Sequence, residues 1–280
     1  MRKRKYSMTS LSTFVGAALA GVFMLNAGAQ AQQAENQDTA AAWTTSGSVA
    51  LISQYLFRGI SQTQGKPTVQ ASVDFSHASG WYAGLWGSGV SHAAYNNGSG
   101  SEIDLYGGYR QELGGGYVAD LGIFSYWFPG AYYAVDGRRI KYDTQELKLG
   151  LSKGSVSAAA SYAISKRFAG LAFDPFTGRE ASTRGSTYLE LNWNPELAPG
   201  WVLNLHAGRQ DVHELGDYSF TDLRLGLTRT IGPWQLSLSA SHHNGHAEKD
   251  GVPLWTFFDA DGRGRNVVGT QWLASVSHSF

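Results

Sequence analysis

Three histidines, His242, His243 and His246, crowd into SHHNGHAEKD at 241–250. Imidazoles this close could hold a transition metal. Their place at the end of an alternating segment, running into a long polar stretch, favours a solvated cluster instead. No HExxH helix or cysteine pair supports a metal centre. Serine and histidine are neighbours at Ser76–His77, Ser91–His92 and His278–Ser279. Adjacent residues of a strand point to opposite faces, so none of these pairs makes a nucleophile–base dyad by itself. The sequence has no phosphate-cradling glycine loop, dinucleotide fingerprint or nucleic-acid motif. It therefore reads as a non-enzyme, with no cofactor and no nucleic-acid partner.

The other ionisable residues form a pattern. Asp74, Glu102, Asp104, Asp120, Glu146, Glu190 and Asp222 share the polar positions of alternating segments with Arg58, Arg110, Lys148, Arg224 and His206. Opposite charges on neighbouring strands line a water-filled pore or lock a plugged one. Seven carboxylates against four fixed positive charges predict a mild cation preference for a conducting pore. Arg58 ends the first segment beside Gly59, which can supply a turn with positive φ. Its guanidinium either sits at a pore mouth or, the favoured reading, pairs with a lumen carboxylate such as Asp74.

The elements that must position these charges are strands. In QELKLGLSK, Leu147, Leu149 and Leu151 alternate with Glu146, Lys148, Gly150 and Ser152. TDLRLGLT, WQLSLSAS and WVLNLHAG repeat the rhythm, which is that of strands with one apolar face. Twelve such segments run from 46–58 to 268–280, each about the length that a tilted strand needs to cross a bilayer. The connections alternate between short and long, as in a barrel with both termini on one side. The fifth long connection, HELGD, is an exception, no longer than the turn PELAP.

MRKRK, the apolar run 11–25 and AQA at 29–31 make residues 1–31 a signal peptide. Residues 32–45 then form a short periplasmic lead-in, and 46–280 the barrel. The chain has 35 Gly, 13% aromatics and no Cys, and its mean hydropathy of −0.24 excludes a bundle of membrane helices. The expected fold is all-β: an antiparallel up-and-down transmembrane barrel of about twelve strands in the outer membrane of a Gram-negative cell. Its apolar face would meet outer-membrane lipid. Trp81, Trp193, Trp201 and Trp234 fall near short turns, and Trp127, Tyr95 and Tyr218 near long loops, so they are read as two aromatic girdles. Trp272, Val276 and the terminal Phe280 lie on the apolar face of the last strand. They are read as the signal for the barrel-assembly machinery. Arg138, Arg139, Lys141, Arg179, Arg184, Arg263 and Arg265 lie in long loops, where they could contact lipopolysaccharide phosphates.

The first hairpins carry a more specific likeness. SVALISQYLFRGISQTQGKPTVQASVDFSHASGWYAGLWGS at 48–88 resembles the opening of the TorF family of porins. The resemblance rests on Phe57-Arg58-Gly59, SQT at 61–63, Pro67 and SGWYAGLWGS at 79–88. It implies an outer-membrane, channel-like barrel and carries over no substrate.

The expected function is passive diffusion of small hydrophilic solutes or ions. The alternative is a non-conducting barrel whose loops bind a partner or surface lipid. A barrel-wall lipid hydrolase is the least favoured. The alternation of connection lengths predicts that tags at 96–99, 170–180 or 255–263 are labelled on intact cells, whereas tags at 114–115 or 153–154 are not. Labelling at 114–115 on unbroken cells would invert this topology.

Overall fold

The computed structural model describes residues 42–259 and 261–280, so the expected signal peptide and most of the lead-in lie outside the described residues. Twelve long strands form the wall: β1 (Trp43–Ile52), β2 (Thr68–His77), β3 (Trp81–Gly89), β4 (Ser101–Gly114), β5 (Tyr117–Trp127), β6 (Thr144–Lys153), β7 (Val156–Ala163), β8 (Thr187–Trp193), β9 (Trp201–Asp211), β10 (Phe220–Ile231), β11 (Trp234–His243) and β12 (Gly269–Ser279). Each pairs antiparallel with the next, and β12 pairs with β1, so the sheet closes on itself. Short turns such as 115–116 and 154–155 lie at one end. Long loops at 53–67, 90–100, 128–143, 164–186, 212–219 and 244–268 lie at the other.

The wall is inside out relative to a water-soluble barrel. Leu85, Leu105, Leu121, Leu149, Leu191, Leu225 and Leu238 are all exposed. The polar residues between them turn inward. Such a belt of exposed leucine, unbroken around a closed sheet, is the outer face of a transmembrane barrel. The ambiguous segment GWYAGLWGSGVSH also sorts by face, with Trp81 and Leu85 outward and Tyr82 buried inward. Trp43, Trp81, Trp193, Trp201, Trp234 and Phe280 ring the turn end, and Trp127, Tyr162 and Trp272 stand exposed near the loop end. Tyr95 and Tyr218 do not join that second girdle. Each is 1% exposed, inside the loops.

The seam between first and last strands is closed by the terminal residue. Phe280 and Gly47 exchange backbone hydrogen bonds of 2.9 and 3.0 Å. The Phe280 ring lies over Gly47 so closely that a Cβ there would meet its Cε2 and Cζ at 2.7 Å. Glycine thus provides the seat that the aromatic occupies.

The loops fold together over the loop end and build the apolar core of the molecule. Tyr55, Tyr95, Phe128, Tyr142, Phe168 and Trp255 are each 2% exposed or less. Tyr95 stacks on Phe128 at 4.0 Å, and Tyr218 and Phe220 meet Trp255 edge-on at 5.6 and 5.5 Å. Around this core the loops are tied by surface ion pairs. Glu180 accepts from Arg138 (2.9 Å), Lys166 (3.3 Å) and Arg167 (3.3 Å), and Lys249 pairs with Asp217 at 2.6 Å. The Arg138 and Lys166 hydrogen bonds hold the Glu180 carboxyl down to about 2. A depressed folded-state pKa contributes stability above the usual carboxylate range, lost only as pH falls through the folded value. These ties therefore persist in mildly acidic medium.

The outward leucines predict that Leu149→Arg and Leu225→Arg each lower stability by about 2–4 kcal/mol near the midplane. Gly150→Arg, on the lumen face, should cost clearly less in the same denaturant titration in lipid. Equal tolerance would mean that the faces are reversed.

Candidate functional site: the lumen and its inserted loop

The first segment does not run to residue 58 as one strand. β1 stops at Ile52, and the chain turns into the lumen as a small hairpin, Leu56–Phe57 against Ile60–Ser61. We call residues 53–67 loop L1. Its tip is Arg58-Gly59, with φ of 45° and 79°. Two successive positive φ values are those of a type I′ turn, which matches strand twist. Glycine fits this conformation without cost. Arginine is strained in it, so surrounding contacts must hold it there.

Those contacts come from the far wall. The Arg58 guanidinium donates to both carboxylate oxygens of Glu146 on β6, at 2.7 and 3.2 Å, and to Gln210 Oε1 on β9 at 2.6 Å. It lies over the rings of Tyr188 and Phe57 at 4.1 and 4.6 Å. Tyr126 donates to the same Glu146 at 3.2 Å. The side chains of Arg58 and Glu146 are 6% and 1% exposed. The expected ion pair therefore exists, but with Glu146 rather than Asp74. L1 crosses the barrel, whereas Asp74 sits on β2, the strand to which L1 returns. Gly59 completes the wedge. A Cβ there would come within 3.0 Å of Cβ of both Asp222 and His243. On the near side, Gln54 donates to Trp272 O at 2.7 Å, and Tyr55 packs on Trp86 at 5.3 Å.

Below the tip the wall carries its charges in local sets. Asp74 accepts from Tyr106 at 2.5 Å and from Ser72 at 3.2 Å. Asp120 accepts from Arg110 and Tyr82, both at 2.7 Å. Lys148 donates to Glu190 at 2.6 Å. His206 lies 2.8 Å from Asn192, 2.9 Å from Tyr188 and 3.0 Å from Asp222. Arg224 stands opposite His206 and Ser241 in the register and forms no ion pair among the described residues. Asp104 and Glu102 lie higher on β4, buried beneath L1. Exposure divides the lumen into two halves. The Arg110, Lys148 and Asp120 side chains are 40%, 32% and 26% exposed, while those around the Arg58 tip are nearly sealed. The loop half is filled, and the turn half is a polar vestibule.

Tyrosine fills the wall at glycines. Cβ atoms added at Gly84 and Gly208 would collide with Tyr106 and Tyr188. Bulky rings and glycines thus interlock on the lumen face, and the hydroxyls reach carboxylates from there.

The histidine segment does not converge. His242 points outward and bonds Thr270 at 3.0 Å, His243 points inward and bonds Val267 O at 2.8 Å, and His246 is exposed. The described residues hold no group of three or more metal-ligating side chains. Trp272, Val276 and Phe280 share the outward face of β12 and its extension. A serine–histidine contact does occur, between His77 and Ser79 at 2.6 Å, but within the exposed turn beside Trp81. No carboxylate hydrogen-bonds that imidazole among the described residues.

A family model described as "Bacterial protein of unknown function (Gcw_chp)" matches residues 36–280. The chain belongs to the Gcw_chp family. No curated protein matches it. Several solved structures align with the chain at low identity. A structure described as "KdgM porin" aligns over 84% of this Gcw_chp chain and 99% of its own, with TM-score 0.48 and 8% identity. The NanC porin aligns over the same shares with TM-score 0.48 and 7% identity. The P. putida toluene transporter TodX aligns over 86% and 90%, with TM-score 0.40 and 12% identity. At these values no solute carries over to the Gcw_chp chain.

Breaking a buried ion pair from one side strands a charge, at a cost of about 3–5 kcal/mol. Asparagine tolerates a left-handed backbone, so Arg58→Asn removes the pair while sparing the turn. It should speed hydrogen exchange of the L1 amides in the folded barrel, and Glu146→Gln combined with it should recover part of the loss. L1 protection unchanged in Arg58→Asn would show that the clasp does not hold the loop.

Proposed function

We propose that the chain is an outer-membrane channel for small hydrophilic solutes or ions, closed in this state by L1 at its loop end. One observation carries the reading. The loop that blocks the lumen is held to the far wall by a polar clasp, Arg58 with Glu146 and Gln210, above a polar vestibule. A barrel meant only to be filled gains more from apolar packing, because a buried ion pair seldom outperforms hydrophobic replacements of its shape. The likeness of residues 48–88 to TorF porins points the same way. Pairing of Arg58, Arg110 and Lys148 with Glu146, Asp120 and Glu190 removes equal numbers of each sign, so it does not change the excess of carboxylates over fixed positive charges in the lumen set. The cation preference therefore remains the expected sign once L1 moves. Asp74, Asp104, Arg110, Asp120, Lys148, Glu190, His206, Asp222 and Arg224 would line the path.

In this reading the loop end faces the outside and the leucine belt meets outer-membrane lipid. The assembly machinery recognises Trp272, Val276 and Phe280. Several loop cations already have partners within the cap: Arg138 with Glu180, Arg179 with Glu214, and Arg265 with the Gln64 carbonyl. Lipopolysaccharide would therefore meet chiefly Arg139, Arg184 and Arg263.

The packed aromatic cap favours a second reading, a non-conducting barrel whose fused loops bind a partner. Bilayer recordings separate the two. Wild-type protein should conduct rarely and in small steps, and deletion of 55–62 should give steady, mildly cation-selective current. A folded deletion variant that passes no current across salts and voltages would leave the binding barrel.

A further inference from the structure

The tip of L1 is held as a ligand is held. Arg58 reaches Glu146 through two nitrogens, Nη2 to Oε2 at 2.7 Å and Nη1 to Oε1 at 3.2 Å, and Nη1 also donates to Gln210 Oε1 at 2.6 Å. A planar fork of donors on one carboxylate is guanidinium geometry, which an ammonium does not reproduce. The ring of Tyr188 lies 4.1 Å from Arg58 Cζ and that of Phe168 5.9 Å, and Tyr126 donates to Glu146 at 3.2 Å. Cations are attracted to such ring faces. Phe57, the other ring over the guanidinium, belongs to L1. The remaining groups belong to β5, β6, β8, β9 and the loop at 164–186, so they stay behind when L1 leaves.

Without Arg58 the cage is a carboxylate, an amide oxygen and an aromatic face that have lost their cation. Lys148, two residues along the same face of β6, is held by Glu190 at 2.6 Å. A carboxylate left alone in a nearly sealed place is strongly disfavoured, so the cage favours a replacement of the same chemistry. The backbone gives a second observation. Arg58 accepts a φ of 45°, where asparagine or glycine would fit with less strain. The arginine is there for the guanidinium, not for the turn. We infer that this cage is the solute site of the channel, and that Arg58 stands in it for the solute: a small molecule bearing a guanidinium group. The inference rests on the channel reading for passage, though not for binding. Solute from the vestibule occupies the cage when L1 swings clear and, by excluding Arg58, keeps the loop off the far wall. The tethered arginine competes at high effective concentration. The intact protein therefore binds solute only through its minor open population.

The test uses the full mature chain folded in detergent, with methylguanidinium as the probe and methylammonium at equal ionic strength as the control. In wild type, methylguanidinium should speed hydrogen exchange of the L1 amides, and methylammonium should not. By calorimetry, Arg58→Asn should bind methylguanidinium roughly ten-fold more tightly than wild type or better, because the competitor is gone. Adding Glu146→Gln to that variant should abolish binding. The melting temperature of Arg58→Asn should rise with methylguanidinium, since the ligand refills the cage. Should Arg58→Asn fail to fold, the exchange experiment on wild type decides. Equal affinity in wild type and Arg58→Asn would place the ligand elsewhere and overturn the inference. So would binding that survives Glu146→Gln, or wild-type exchange that responds equally to both cations or to neither. Bilayer recordings keep the two readings apart. Binding that meets these expectations, with no current from the loop deletion, would retain the site and sink the channel. Steady current from the deletion, with no binding, would retain the channel and sink the site.

Discussion

A sheet placed in hydrocarbon cannot keep an open edge, because each unpaired amide or carbonyl there costs several kcal/mol. Closure of β12 onto β1 is the constraint from which the rest of this molecule follows. Once the ladder is a ring, alternate residues must face lipid and lumen in turn. The leucines go outward, and serine, glycine and charge go inward. The interior thus receives what a soluble core excludes, and the chain must provide for it.

It does so by different means at the two ends. Near the turns, the charges stay close to water, in short-range pairs that are individually weak. Near the loops, water is displaced by L1 and by aromatic side chains, and every polar group needs a partner. Arg58 shows how tightly this is drawn. An arginine occupies a backbone conformation that suits glycine or asparagine, because its guanidinium reaches Glu146 and Gln210 from there. The strain at the tip and the energy of the clasp are parts of one arrangement.

The wall was legible in the sequence because its code is local. Period-two alternation and turn length are decided by neighbouring residues, so strand number, strand order and the outward face of Leu149 or Leu225 could be read directly. The path of L1 was not legible. FRG next to SQT marks a turn, but a turn that continues outward and one that folds into the lumen have the same local signature. What separates them is Glu146, 88 residues away, and Gln210, 152 residues away. The same reason misplaced Tyr95 and Tyr218. A tyrosine near a strand end reads as a girdle residue unless the loops are known to pack on one another. The histidine segment was legible in part, since strand parity alone sends His242 and His243 to opposite faces.

The seam has a consequence for the order of events in assembly. Phe280, at the end of the last strand, bonds Gly47 in the first strand, so the ring can shut only after all twelve strands are present. L1 hangs from β1, which is one lip of that seam. While the lips are apart, L1 can swing into the lumen sideways, with no need to thread through a finished mouth. Shutting the seam then traps it behind a wall. The glycine beneath the terminal ring thereby acts as a latch, and the ring shuts with L1 already inside.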